Sequence, residues 1–189
     1  MELWLVRHGE TLWNREGRLL GWTDLPLTPL GRRQARALRG LLPPLPAYSS
    51  DLRRALETAA LAGFAPTPSP ALREIHFGAL EGAFWEELEA VHKEALLRFH
   101  GFAPPGGERL EAFQERVFRF LEGLRGPSLL FTHGGVVRAV LRALGEDRLV
   151  PLGSALVVDW PHKVLETGLY PHLRFVVNLQ DFTHISVSW

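Results

Sequence analysis

The sequence predicts an α/β fold, a three-layer α/β/α sandwich around a mostly parallel central sheet. Three observations predict it. Short, fully apolar runs read as strands buried on both faces, chiefly Leu3-Trp4-Leu5-Val6 and Leu129-Leu130-Phe131. Segments with helical spacing alternate with them, as connections between parallel strands require. The chain has 189 residues, 46% hydrophobic and 22% charged, which is ordinary globular composition and enough for one core. No linker, repeat or low-complexity segment divides it, so residues 1–189 are read as one domain.

Each element has its own reason. After Leu3–Val6, the stretch from Thr11 to Leu27 mixes Gly, Asn, Asp and Pro and reads as a loop or short helical turns. Thr28-Pro29 starts a helix, with Thr as N-cap and Pro at the first helical position. Its apolar positions are Leu30, Leu38, Leu41 and Leu42, and Pro43-Pro44 ends it. Ala47-Tyr48-Ser49 reads as a short strand, and Leu52 to Ala62 as a helix. Pro66, Pro68 and Pro70 mark a connection. Phe84 to Phe99 reads as one helix, from Trp85, Leu88, Val91, Ala95, Leu96 and Phe99. Leu110, Phe113, Val117, Phe120 and Leu124 make the clearest amphipathic helix. A helix from Val136 to Leu144 and a strand at Ala155–Val158 follow, with further strands expected at 175–177 and 185–187.

Composition narrows function. Lys+Arg and Asp+Glu are 21 each, so no global field draws in nucleic acid or an anionic membrane. Cysteine is absent, which removes disulfides, thiolate metal sites and cysteine nucleophiles. No apolar run approaches a membrane span, and the early Glu2, Arg7 and His8 do not fit a signal peptide. A cytoplasmic location is the expectation.

Two strands end alike, in Val6-Arg7-His8-Gly9 and in Phe131-Thr132-His133-Gly134. Ligands of open α/β sheets bind beyond the carboxyl ends of strands, so two histidines would share one rim. Metal is one candidate ligand, with Glu10 or Glu74 as further ligands. Arg7 argues for an anion instead, because a guanidinium repels a cation and its donor fork matches phosphate. Neither a Walker-type loop nor GxGxxG is present.

These residues also carry a resemblance. Leu5-Val6-Arg7-His8-Gly9-Glu10-Thr11 with Trp13-Asn14 resembles the signature of the histidine phosphatase (phosphoglycerate mutase-like) superfamily. Further segments match in family order: Gly21-Trp22-Thr23-Asp24-Leu25-Pro26-Leu27-Thr28, Ser49-Ser50-Asp51-Leu52-Arg53-Arg54-Ala55, Leu72-Arg73-Glu74-Ile75-His76-Phe77-Gly78, Pro105-Gly106-Gly107-Glu108 and Thr132-His133-Gly134. The resemblance implies that His8 is a nucleophile forming a phosphohistidine. It implies that Arg7, Arg53 and His133 hold the phosphoryl oxygens, with Asn14 and the N–H of Gly134 as further donors. Gly21 and Thr23 are expected to contact substrate. Glu74 is implied as the general acid, with a pKa raised by burial near Phe77 and Trp85. No metal is implied.

Several neighbours have plainer readings. Arg54 is expected to be solvated, Glu10 to be structural, and Glu74 without the motif would be a surface partner of Arg73. His76 either lines the pocket or packs, and Arg109 adds charge either to the pocket or to the surface.

Within the family, the short segment 83–107 is expected to form a small lid. It makes the chain more similar to small phosphatases, particularly α-ribazole 5′-phosphate phosphatases of cobalamin assembly. A cofactor-dependent phosphoglycerate mutase is the alternative, since 21–24 and 74–78 are close to mutase versions of those motifs. No cofactor is expected, save 2,3-bisphosphoglycerate if the chain is a mutase. A broad-specificity phosphatase and a noncatalytic phosphate-binding module complete the alternatives. The expected partner is a small phosphorylated metabolite, not nucleic acid or membrane, and a homodimer is left open.

Overall fold

The computed structural model describes residues 1–169. Six strands form one sheet: β1 (Glu2–Arg7), β2 (Ala47–Ser50), β3 (Thr67–Ser69), β4 (Ser128–Thr132), β5 (Ala155–Asp159) and β6 (Lys163–Leu169). Their order is β3-β2-β4-β1-β5-β6. The first four are mutually parallel, while β5 runs antiparallel to β1 and β6 antiparallel to β5. The helices are α1 (Leu12–Glu16), α2 (Pro29–Ala37), α3 (Arg53–Leu61), α4 (Ala90–Arg98), α5 (Leu110–Glu122) and α6 (Gly134–Ala143).

Alternation along the strands builds two cores, one on each face of the sheet. Leu3 and Leu5 of β1 and Leu130 of β4 join Phe113 and Val117 of α5 and Val136 and Val140 of α6. Val6, Leu129 and Phe131 point the other way, towards Leu38 after α2, Ala59 of α3 and Ala62 just after α3. The layers are therefore helix, sheet, helix, and β1 and β4 lie side by side between them.

The α2 start has the expected chemistry: the Thr28 hydroxyl accepts the Gly31 N–H at 3.1 Å, with Pro29 in the first turn. Three elements differ from expectation. The proline-marked connection contains edge strand β3, and an edge tolerates Pro68 because one side of the strand needs no partner N–H. The expected helix at 84–99 is two pieces, a 3₁₀ turn at Trp85–Glu87 and α4, separated by extended backbone at Leu88 and Glu89. Trp85, Leu88, Leu96 and Phe99 still face the core, which preserves the helical spacing across the break, but Val91 is 64% exposed. Strand β6 was not expected. The strands expected at 175–177 and 185–187 lie outside the described residues.

Candidate active site

Strands β1 and β4 deliver the two histidines together. Arg7 is paired in register with Thr132, and the His8 N–H donates to the Thr132 carbonyl at 3.1 Å. The imidazoles of His8 and His133 lie 5.2 Å apart between centroids, edge to face, and both are buried.

Two glycines bring α2 against the turn that follows His8. A Cβ on Gly9 would stand 2.4 Å from the Gly31 carbonyl oxygen, and one on Gly31 would stand 2.2 Å from that of Glu10. No side chain fits at either position. The Gly9 N–H also donates to the Thr58 hydroxyl at 3.1 Å, tying the turn to α3.

The tautomer of His8 follows from its partner. Nδ1 lies 2.6 Å from the Gly9 carbonyl oxygen, which can only accept. Nδ1 therefore carries the proton and Nε2 carries the lone pair. Burial, and then the positive fields of Arg54 and Arg7, push the His8 pKa well below the usual histidine range. The ring is neutral and its free nitrogen is nucleophilic. His133 is pushed down by the same burial and charges. Its Nε2 is 2.8 Å from the Ser50 hydroxyl.

The structure corrects the arginine assignment. Arg53 points outward, its side chain 60% exposed and paired with Glu57 at 2.6 Å. Arg54, expected to be solvated, is fully buried on the inward face of α3, with Ala55, Thr58 and Ala59. Its Nη1 donates to the Thr23 carbonyl at 2.9 Å and Nη2 to the Gly21 carbonyl at 2.6 Å. Arg7 is also buried, with Nη1 on the Val150 carbonyl at 2.6 Å. Burial lowers both guanidinium pKa values to about 10 while Glu74 raises them, so both stay charged near neutrality.

Gly21 and Thr23 support Arg54, and their main chain is already occupied. Their N–H groups donate to Glu81 Oε1 at 2.8 and 3.2 Å, and their carbonyls hold Arg54. Gly134 lets Arg7 approach, since a Cβ there would stand 3.0 Å from the guanidinium carbon. Asn14 is buried, with Oδ1 accepting both the N–H and the hydroxyl of Thr11 at 2.9 and 2.8 Å.

Glu74 is buried on the same rim. Its carboxylate accepts the Ile75 N–H and the Gly135 N–H, each at 2.9 Å. Burial raises its pKa and outweighs the opposing effects of these bonds and of Arg54 and Arg7. Arg73 is not its partner, being held in a bidentate pair with Asp51. Glu10 takes the structural part expected of it, accepting from Arg15 and Thr28. His76 packs edge-on against Trp22, and the Arg109 side chain is 74% exposed.

Among the described residues of this rim, the buried nitrogens Arg54 Nε, Asn14 Nδ2 and His133 Nδ1 have no protein partner. An unpaired buried polar atom costs about 1–3 kcal/mol, so three are best explained by a ligand that satisfies them. Two guanidinium groups and two neutral imidazoles around one carboxyl give the site the chemistry that suits an anion. Among the described residues no group of three or more His, Cys, Asp or Glu side chains is arranged to hold a metal ion, and no helix is long and apolar enough to cross a membrane.

Residues 3–151 match the family model of the histidine phosphatase superfamily (branch 1). The chain belongs to this superfamily. It is 37% identical over 158 residues to the metal-independent phosphoserine phosphatase of Arabidopsis thaliana, covering 74% of this chain and 66% of that protein, just under two thirds of its length. It is 37% identical over 170 residues to the 2,3-bisphosphoglycerate-dependent phosphoglycerate mutase 2 of Gloeobacter violaceus, covering 78% and 76% of the two chains. The crystal structure of phosphoglycerate mutase from Thermus thermophilus is similar with 76% identity and a TM-score of 0.87, over 88% of this chain and 97% of that one. Histidine phosphatase relatives thus carry both phosphatase and mutase names.

Proposed function

We propose that this histidine phosphatase superfamily member is a metal-independent phosphomonoester hydrolase working through a phosphohistidine on His8. The observation that carries the reading is the Nδ1-to-Gly9 hydrogen bond, which leaves His8 Nε2 unprotonated between two buried arginines. In the first step the Nε2 lone pair attacks phosphorus and the ester P–O bond breaks. Glu74 transfers its proton to the leaving alkoxide oxygen, giving the alcohol. In the second, the Glu74 carboxylate accepts a proton from water as that water attacks phosphorus. The P–N bond breaks, its electron pair returns to Nε2, and phosphate leaves. Arg7, Arg54, His133, Asn14 Nδ2 and the Gly134 N–H hold the phosphoryl oxygens as charge shifts among them. This arginine-rich cage takes the charge-neutralising part that Mg²⁺ plays in many phosphoryl transfers.

The substrate is a small phosphorylated metabolite. The expected α-ribazole 5′-phosphate rests on the short 83–107 segment. Relatives are named for phosphoserine, phosphoglycerate and glucosyl-3-phosphoglycerate, which share a carboxylate near the ester and widen the set to test. A mutase is the second reading, favoured by the 76% identity with the Thermus thermophilus structure. It would need 2,3-bisphosphoglycerate to phosphorylate His8.

The test is phosphate release from α-ribazole 5′-phosphate, phosphoserine, 3-phosphoglycerate and p-nitrophenyl phosphate with EDTA present. Interconversion of phosphoglycerates is followed in parallel, with 2,3-bisphosphoglycerate added. Phosphate release insensitive to EDTA supports the hydrolase. Interconversion with little free phosphate supports the mutase. Activity that EDTA abolishes and a divalent ion restores contradicts the mechanism.

A further inference from the structure

Glu74 sits on a segment with little secondary structure of its own, yet its carboxyl must meet the leaving oxygen within a fraction of an ångström. Residues 70–72 form one 3₁₀ turn and Arg73 is extended. Beside the Thr132 hydroxyl on the Leu72 carbonyl at 2.7 Å and the Arg73–Asp51 pair, one guanidinium from α5 gathers most of the segment's carbonyls. Arg116 Nη1 donates to the carbonyls of Ala71 at 2.8 Å, Arg73 at 3.0 Å and, more weakly, Pro70 at 3.4 Å. Nη2 donates to the Glu74 carbonyl at 3.3 Å. The same group makes a bidentate pair with Glu108, Nε to Oε2 at 3.0 Å and Nη2 to Oε1 at 2.8 Å.

Glu108 reaches the far side of the acid. Its Oε1 accepts the His76 N–H at 3.3 Å and its own N–H donates to the His76 carbonyl at 2.9 Å. The glycines before it permit this approach: a Cβ on Gly107 would stand 2.5 Å from the His76 carbonyl oxygen. The backbone on both sides of Glu74 is thus tied to one ion pair, and the Trp22 indole N–H adds a bond to the Glu74 carbonyl at 2.8 Å.

We propose that Arg116 and Glu108 are positioning residues that set where Glu74 delivers its proton. This inference rests on the reading of Glu74 as the acid. Neither side chain is among the groups that hold phosphate. The pair also stabilises the fold, because its side chains are only 21% and 17% exposed and four carbonyls depend on the guanidinium, so a thermal melt of each variant accompanies the kinetics. Its distinctive property is geometric: four carbonyls and a carboxylate converge on a planar fork of donors. Lysine keeps the charge but lacks the fork.

The test uses the full chain and the variants Arg116→Lys, Glu108→Gln and Glu74→Gln. Turnover is compared on p-nitrophenyl phosphate, whose leaving group needs no proton, and on phenyl phosphate, whose leaving group does. Inhibition by inorganic phosphate reports the anion cage separately. Arg116→Lys is expected to slow phenyl phosphate about 10–100-fold, the scale of an acid displaced by about an ångström. On p-nitrophenyl phosphate the loss stays within about threefold, and phosphate inhibition within about twofold, because the cage is untouched. Glu108→Gln, which keeps shape and loses charge, gives the same pattern with a smaller loss. Arg116→Lys added to Glu74→Gln costs nothing further, because both act on one proton transfer.

Equal losses on both esters, weakened phosphate inhibition, or additive losses in the double variant would overturn the proposal. So would wild-type leaving-group dependence in both Arg116→Lys and Glu108→Gln. If Glu74→Gln itself slows both esters equally, the acid assignment fails, and this inference with it. If Glu74→Gln is selective and the other two are not, only the positioning role fails.

Discussion

The amide of Gly135 donates to Glu74 Oε2 at 2.9 Å, and a Cβ built on Gly135 would stand 2.2 Å from the other carboxylate oxygen. The first turn of α6 therefore both orients the Glu74 carboxyl and leaves it no spare room. Gly135→Ala is expected to keep the helix, since alanine is the better helix former, and to force the carboxyl away. Turnover of phenyl phosphate should fall about 10–100-fold, with a much smaller loss on p-nitrophenyl phosphate. Steady-state kinetics on the two esters check this, with a thermal melt confirming the fold.

Adjacent arginines should behave in opposite ways. Arg54 is buried beside His8 and Glu74, whereas Arg53 is an exposed partner of Glu57. Arg54→Ala is expected to lower kcat/KM about 10²–10³-fold and to weaken inhibition by vanadate. Arg53→Ala should leave both within about twofold, as for a surface ion pair. Comparable losses in the two variants would place the phosphate-binding face of α3 wrongly.

The pH profile follows from two opposite shifts. Glu74 must be protonated to donate, and burial raises its pKa above the ordinary carboxylate value. His8 must be neutral, and its pKa lies well below the histidine range. Activity on phenyl phosphate should therefore fall as pH rises through the Glu74 pKa, about tenfold per unit. Protonation of His8 limits activity only below the usual histidine range. Profiles of kcat/KM for wild type and Glu74→Gln check the assignment: the high-pH limb should vanish in the variant.

A stability prediction concerns Arg138, away from the chemistry. Its side chain is 6% exposed and donates to the Leu96 and Leu97 carbonyls at 2.8 and 2.7 Å, closing the end of α4. It also pairs with Asp147 at 2.8 Å and lies over the Phe99 ring. Arg138→Leu strands two carbonyls and is expected to cost about 2–4 kcal/mol. For a chain of this size that lowers Tm by roughly 5–15 °C. Thermal unfolding by circular dichroism measures it.

Much of this was legible in the residues. The two apolar runs ending in His-Gly placed both histidines on one rim, because parallel neighbours must end on the same side. The helices at 29–37 and 110–122 were legible from a cap and from spacing. The arginine choice was not, although the pattern contained it. Ala55, Thr58 and Ala59 are the buried face of α3, and Arg54 lies four residues before Thr58 on that face, whereas Arg53 pairs across one turn with Glu57. Reading the helix phase rather than the charge would have separated them. The contacts of Glu81, Ser50 and Arg116 were not legible, although Ser50 lies in a matched segment, because their partners are main-chain groups or residues brought close only by folding. The break before α4 was hidden because both pieces turn apolar residues to one core.

The most direct measurement is an acid- and base-quench of the enzyme mixed with ³²P-labelled phosphomonoester in EDTA, followed by mapping of the labelled residue. The expected result is an acid-labile, base-stable phosphoenzyme on His8 that decays to free phosphate and is absent in His8→Ala. Turnover without a labelled enzyme, or a label that persists in His8→Ala, would contradict it.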